Sequence, residues 1–340
     1  VGSPRTIKGN VAVEYLRRFP ETPTLTLAKK IYAENPEVFK TVDDVRSKLR
    51  YYKHQNGARG RKYISTDEFK QKPGEMANKH GIPNPYGLPE SEEPDWEPFV
   101  VPPGNNSILL LSDIHIPYHN IESITKCLEY GKSEKVNAVY LNGDVIDCYQ
   151  LSRFVKDPRK RSFAQELEDT KRFLGVLQDT LQCPIYFKLG NHERRYEDFL
   201  KLKAPELLDI SEFKLDVLLR FGQYGVTLVE DRQMAKIGKL SVLHGHEFGR
   251  SVFSPVNPAR GYYNRAKKSM IAGHNHQTSE HSEKSLDGTV VTVWSTGCLC
   301  ELRPDYLPFN KWNHGAAHIK VDKEGSYDVH NFRIIGGKIY

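Results

Sequence analysis

Five short apolar runs in this chain break off in the same way, each running directly into Asp, Asn or His. Leu111 leads to Asp113-Ile114-His115, Leu141 to Gly143-Asp144, and Leu189 to Gly190-Asn191-His192. Leu243 leads to His244-Gly245-His246, and Ile271 to Gly273-His274-Asn275-His276. Short apolar runs bounded by turn formers read as buried strands. In α/β sheets the loops beyond the carboxyl ends of strands converge on one crevice, where ligands bind. A fold that brings these five ends together gathers two Asp, two Asn and several His in one place.

That inventory suits two divalent cations. Aspartate can bridge a pair of cations, neutral imidazole suits Zn, Fe, Mn or Ni, and an Asn carbonyl is a neutral oxygen ligand. Two cations about 3.5–4 Å apart lower the pKa of a shared water and clamp a phosphoryl group for in-line attack. Glycines beside the ligands, such as Gly143 and Gly273, permit sharp turns and close backbone approach.

The ordered set D-x-H, G-D-x-x-D, G-N-H-E, H-G-H and G-H-x-H resembles the calcineurin-like metallophosphoesterase superfamily over residues from about 107 to 276, with later strands to about 335 completing the domain. The resemblance implies an α/β fold, a metallophosphoesterase β-sandwich of two mixed sheets flanked by helices. It also implies roles. Asp113, His115, Asp144 and His276 would hold one metal, and Asp144 would bridge to a second completed by Asn191, His244 and His274. A metal-bridging hydroxide would attack phosphorus while His192 protonates the leaving oxygen, with Asp147 orienting that imidazole. Two divalent metal ions are expected as cofactors, Mn²⁺ first, with Fe, Zn or Ni as alternatives. His246, two residues past His244, is expected to support the site or contact substrate.

One departure narrows the substrate. Ser/Thr protein phosphatases of this superfamily read G-D-x-x-D-R-G, whereas here Asp147 is followed by Cys148-Tyr149. The arginine that grips phosphate at that place is absent; Arg194, Arg195 or Arg260 are the candidates to replace it. This favours a phosphodiesterase or nuclease over a phosphoprotein or nucleotide phosphomonoesterase, which stands as the alternative. An inactive nucleic-acid- or protein-binding factor is the third reading, and the intact ligand set argues against it. The segments Asn257–Gly261, Gly297–Cys300 and Trp312–Gly315 resemble phage-type and bacterial members. Cys298 and Cys300 read as small buried thiols. Glu193 reads as a helix cap or as a support for the metals.

The net charge of +6 is unevenly placed. Residues 1–72 hold 16 Lys/Arg against 8 Asp/Glu, a balance of +8, so the remainder is slightly acidic. Helix-spaced apolar residues predict three helices there: Val11, Tyr15, Leu16 and Phe19; Leu27, Ala28, Ile31 and Tyr32 after a start at Thr24 or Thr26; and Val42, Val45, Leu49 and Tyr52 after Thr41. Arg46, Arg50 and Lys53 line the third, and Arg59, Arg61 and Lys62 follow in a loop. We expect a small all-α, helix-turn-helix-like domain over 1–72 that binds nucleic acid, DNA more than RNA. Residues 73–106 carry eight prolines and six acids and are expected to be a linker, pinned by Tyr86, Trp96 and Phe99. Residues 107–340 form the catalytic domain. No apolar run approaches a membrane span, and five sparse cysteines fit a reducing cytoplasm, that of a phage-infected bacterium included.

Overall fold

The computed structural model describes residues 6–20, 22–53, 81–84, 86, 88–93, 95–157, 159, 162–251 and 256–340. The chain divides into two compact units, Val1–Asp95 and Trp96–Tyr340.

The first unit holds α1 (Ile7–Arg18), α2 (Thr24–Glu34) and α3 (Val42–Tyr52). Thr41 caps α3 by accepting the Asp44 N–H at 3.1 Å, as the Thr-x-x-Asp spacing predicts. The second helix starts at Thr24, one of the two starts expected, behind Pro23, which supplies no side-chain cap. Ala12, Leu16, Leu27, Ile31, Val45 and Leu49 make a common core, and Phe39 from the α2–α3 connection is buried with them. Two of the basic candidates on α3 have local partners. Arg46 stands 3.8 Å from Asp43, and Lys53 Nζ donates to the Thr22 carbonyl at 2.9 Å. Arg50 is half-buried on the same helix. Arg59, Arg61 and Lys62 lie outside the described residues.

In chain order the second unit contains β1 (Phe99–Val100), β2 (Ser107–Leu111), α4 (Ile121–Ser133), β3 (Ala138–Asn142), α5 (Phe163–Leu181), β4 (Ile185–Lys188), α6 (Arg194–Lys203), β5 (Val226–Val229), β6 (Ala235–Ile237) and β7 (Leu240–Leu243). After these come α7 (Pro258–Ala266), β8 (Met270–Ala272), β9 (Ser279–Lys284), β10 (Val290–Ser295), β11 (Gly315–Val321), β12 (Tyr327–Ile335) and β13 (Lys338–Ile339). The strands form a seven-stranded sheet ordered β13-β12-β11-β2-β3-β4-β5 and a six-stranded sheet ordered β1-β6-β7-β8-β10-β9. Both are mixed: β2, β3, β4 and β5 run parallel while β11 and β12 run antiparallel, and β7, β8 and β10 run parallel while β9 is antiparallel.

Strand periodicity explains the layering. Ile108 and Leu110 of β2 face one way and meet Tyr140, Ile237, Val242 and Ile271 between the sheets. Leu109 and Leu111 face the other way, onto Ile124 of α4 and Leu174 and Leu177 of α5. Burial on both faces is why these strands read as unbroken apolar runs. The polar strand β9 gives no such signal; it sits at a sheet edge with one neighbour.

The Pro-rich stretch is not linker to its end at 106. Phe99 and Val100 pair in parallel with Ala235 and Lys236, and the Phe99 ring lies 5.8 Å from that of Tyr186. Pro98, Pro102 and Pro103 are tolerated around β1 because it is an edge strand. Tyr86 and Trp96 remain exposed, so Phe99 alone of the three anchors the segment.

Candidate metal centre

Parallel pairing sets the carboxyl ends of β2, β3 and β4 side by side, and the loops beyond them are hydrogen-bonded to each other. Asp113 N–H donates to Gly143 O at 3.1 Å, and His115 N–H donates to Asp144 O at 2.9 Å. In the other sheet, Gly273 N–H donates to His244 O at 2.8 Å. Asn142 stitches the two sheets together: its amide donates to Leu243 O at 2.8 Å and its carbonyl accepts from His244 Nδ1 at 2.6 Å. Asp113, His115, Asp144, His274 and His276 all adopt left-handed backbone angles, with φ between 52° and 67°. Sparsely populated backbone of this kind costs about 1–3 kcal/mol per residue and collects at functional sites.

The side chains meet. His276 Nε2 is 3.1 Å from Asp113 Oδ1 and 3.2 Å from His115 Nε2. His244 Nε2 is 3.2 Å from Asp144 Oδ2 and 4.0 Å from Asp113 Oδ1. Asp144, His244 and His274 bring their ligand atoms within 4.8 Å of one another, as do His115, Asp144 and His192. The His244 Nδ1 bond to a carbonyl leaves Nε2 as the nitrogen that faces the carboxylates.

The pocket fits cations rather than packed side chains. Among the described residues Asn191 Oδ1 is buried without a hydrogen-bond partner, and His244 Nε2 faces only the Asp144 and Asp113 carboxylates; a bound divalent ion would satisfy both atoms. A Cβ on Gly190 would come within 2.3 Å of Asp144 Oδ1, and one on Gly273 within 2.5 Å of Asp113 Oδ2. The backbone is therefore pressed against the two carboxylates that would carry the charge.

Electrostatics agree with the geometry. Burial opposes charge on Asp113, but His276 and His244 hold its carboxyl well below the ordinary range. Asp144 is depressed in the same way, by His192 and His244 against its burial. Conversely, burial would discharge His244 and His276, yet Asp144 raises the former and Asp113 the latter to about 10. Burial and the neighbouring His244 push His274 down to about 4. Two imidazoles thus hold protons where cations would sit, and a third is already neutral.

Asp147 stands beside this cluster. Its Oδ2 is 3.2 Å from Nδ1 of His115 and 3.3 Å from Nδ1 of His192, and these contacts hold its carboxyl low despite burial. The carboxylate thus hydrogen-bonds His115, whereas His192 Nδ1 hydrogen-bonds the Asp147 backbone carbonyl at 3.1 Å with the carboxylate beside it. His192 Nε2 accepts from Arg195 Nη2 at 2.8 Å, and Arg195 also donates to the Asp147 carbonyl at 2.9 Å.

Two buried carboxylates hold the loops. Glu193 accepts the backbone N–H groups of Asp144, Val145, Ile146 and Gly190 at 2.7–3.0 Å. Its side chain does not cap α6; it ties the β3 loop to the β4 loop. Glu247 accepts from the backbone of His244 and Gly245, and lies 3.1 Å from the fully buried Lys188 ammonium. Against its burial, Lys188 and His246 hold Glu247 at about 2. Sequence reasoning missed Glu247 and Lys188. The one available signal was Lys188 itself, a charged residue inside an apolar strand.

A cavity of about 820 Å³ opens from the cluster. His115, His192, His276, Asp147 and Arg195 line its floor. Three residues expected to touch substrate do not line it. Arg194 turns to Asp231, with Nη1–Oδ2 at 2.7 Å, and His246 Nε2 takes the same carboxylate at 2.8 Å. Arg260 is exposed on the first turn of α7. Neighbours on a helix point about 100° apart, so Arg195 faces the cavity and Arg194 does not. Trp312 does line it, 4.1 Å between ring centroids from His276, while His314 bonds the Cys300 carbonyl. Cys300 is a buried thiol, 3.9 Å from His276 Nδ1.

Comparison with known proteins agrees with the site. A protein of Mycobacterium phage L5, the gene 54 protein, is 29% identical over 228 residues, covering 63% of this chain and 89% of its own length. The gene 54 protein of Mycobacterium phage D29 is 30% identical over 177 residues, covering 50% of this chain and 69% of that protein. Among solved structures, vacuolar protein sorting 29 from Cryptosporidium parvum is a distant likeness, with 14% identity, 69% of this chain and 94% of that chain covered, and a TM-score of 0.38. The family model for calcineurin-like phosphoesterases matches residues 107–295, a span that contains all five strand ends. More than half of the chain is matched, and the chain belongs to the calcineurin-like phosphoesterases, metal-dependent hydrolases of phosphate esters.

Proposed function

We propose that the protein hydrolyses phosphodiesters of nucleic acid at a two-cation centre. Asp113, His115, Asp144 and His276 would hold one ion, and Asp144, Asn191, His244 and His274 the other. Mn²⁺ comes first by resemblance to the family, and the imidazole and carboxylate donors suit Fe, Zn or Ni as alternatives. When bound, such ions activate water at neutral pH and stabilise charge on the phosphoryl oxygens.

The chain's own residues supply the rest. Asp147 fixes the His192 ring through Nδ1, which leaves Nε2 to carry a proton to the departing oxygen. Arg195, now bonded to that Nε2, is placed to exchange the contact for a phosphoryl oxygen and free His192 for protonation. It thereby takes the part of the arginine missing after Asp147. One observation supports an ester of a large group: the cluster opens into about 820 Å³, far more room than a phosphate group with one small substituent needs, and the absence of an arginine after Asp147 turns the choice towards a diester. The basic helical unit supports the choice of nucleic acid through its charge of +8 over residues 1–72.

The test is turnover of an aryl phosphodiester against an aryl phosphomonoester with Mn²⁺, using EDTA as control. Preference for the diester is expected. Preference for the monoester sinks the reading in favour of a phosphatase.

A further inference from the structure

We infer that the cavity beside the metal centre contains a nucleobase subsite, walled by the loops 149–156 and 303–312. This rests on the phosphodiester reading above and names what lies next to the scissile phosphate.

The cavity changes character with distance from the cluster. Its floor is imidazole and carboxylate, but its walls carry Tyr118, Tyr149, Phe154, Tyr306 and Trp312. The aromatic surface begins at the ligands themselves, since Trp312 lies against His276, and continues to Tyr306, 6.4 Å from Trp312 between centroids. On the opposite loop, Tyr149 stands 6.2 Å from Tyr118. Phe154 and Tyr306 are 65% and 77% exposed, so their faces are not used by the protein's own core. Lys156 and Arg303 join Arg195 among the lining residues, so each loop carries a cation, with Glu301 and Asp305 as the acids of the same walls.

A flat group tethered to a phosphate matches this arrangement. Aromatic side chains stack on any base because every base has a π-face, and cations flanking them track the backbone. Among the apolar side chains of the walls, five aromatic rings stand against Val155 and Pro304 as aliphatic ones, whereas an apolar peptide segment would call for aliphatic lining. Base identity is not read, because stacking is tolerant of sequence.

The experiment uses the Mn²⁺-loaded full chain turning over whichever aryl ester it prefers. Adenosine 5′-monophosphate and ribose 5-phosphate are compared as competitors; they share phosphate and sugar and differ in the base. The nucleotide is expected to compete about tenfold more tightly. That ratio should fall towards one in Phe154→Ala or Tyr306→Ala, both exposed positions where folding is not at stake. Equal competition in the parent chain, or a ratio kept in both variants, overturns the subsite. The diester reading fails separately: a persistent nucleotide advantage with no turnover of nucleic-acid diesters leaves the subsite standing and removes the nuclease.

Discussion

Glu193 accepts the backbone N–H of Asp144 at 3.0 Å, so the residue after the G-N-H triplet holds the loop of the proposed bridging carboxylate. The same carboxylate takes three further N–H groups, two on each oxygen. Replacing Glu193 by Gln leaves two buried N–H groups facing an amide nitrogen. Stranded buried donors cost roughly 1–3 kcal/mol each, so Glu193→Gln is expected to lose about 3 kcal/mol. Denaturant unfolding measures it, with the exposed Glu197→Gln as a control that should stay within about 0.5 kcal/mol. Equal stability of the two variants would refute the clamp.

Loading with metal should release protons. Without a cation, His244 and His276 each hold a proton up to about pH 10, against 6.5 when unperturbed. Coordination requires both to be neutral, so at pH 7 each gives up a proton and metal affinity rises with pH. Calorimetry in buffers of different ionisation enthalpy counts the protons released; a count near zero contradicts the assignment.

The same shifts set the pH dependence of the metal-free fold. Both folded-state pKa values lie above the unfolded value, so their stabilisation is complete below pH 6.5 and is lost as pH rises towards 10. The metal-free protein should weaken across that window in thermal unfolding, and the metal-loaded protein should not. Parallel curves would show that these imidazoles do not bind the ions.

His192→Ala should lower kcat by about 10²–10⁴-fold while the bound metal stoichiometry is kept. Asp147→Asn should reduce turnover too and should shift the pH profile, because both imidazoles lose their anionic partner. Loss of metal from His192→Ala would make that residue a ligand rather than the acid.

Replacing Arg46 and Arg50 by Gln should weaken nucleic-acid binding and flatten its salt dependence. Each phosphate that goes unneutralised reduces the log–log slope by about 0.9 on duplex DNA. An unchanged slope would give α3 another task.

Much of the candidate site was legible in the chain because its proposed ligands sit directly at strand ends, where a run of apolar residues stops. Asp113, Asp144, Asn191, His244 and His274 each follow such a run, and parallel pairing of β2, β3 and β4 brings three of the ends together. The capping pair Thr41 and Asp44 was legible for a similar reason, since a helix start is a local event. Which residues line the cavity was not. Arg194 and Arg195 are adjacent and chemically identical, and only the helix phase of α6 sends one to Asp231 and the other to His192.

The amino-acid order alone determined the strand–helix alternation, the residue types at the strand ends and the basic first fifth, because periodicity and composition are properties of short segments. Tertiary structure decided what touches what. That Glu247 and Lys188 pair under His244, that Asp147 serves two imidazoles, and that Phe154 and Tyr306 stand on one cavity all depend on long-range packing. Such packing joins residues tens to hundreds of positions apart, and no local pattern encodes it.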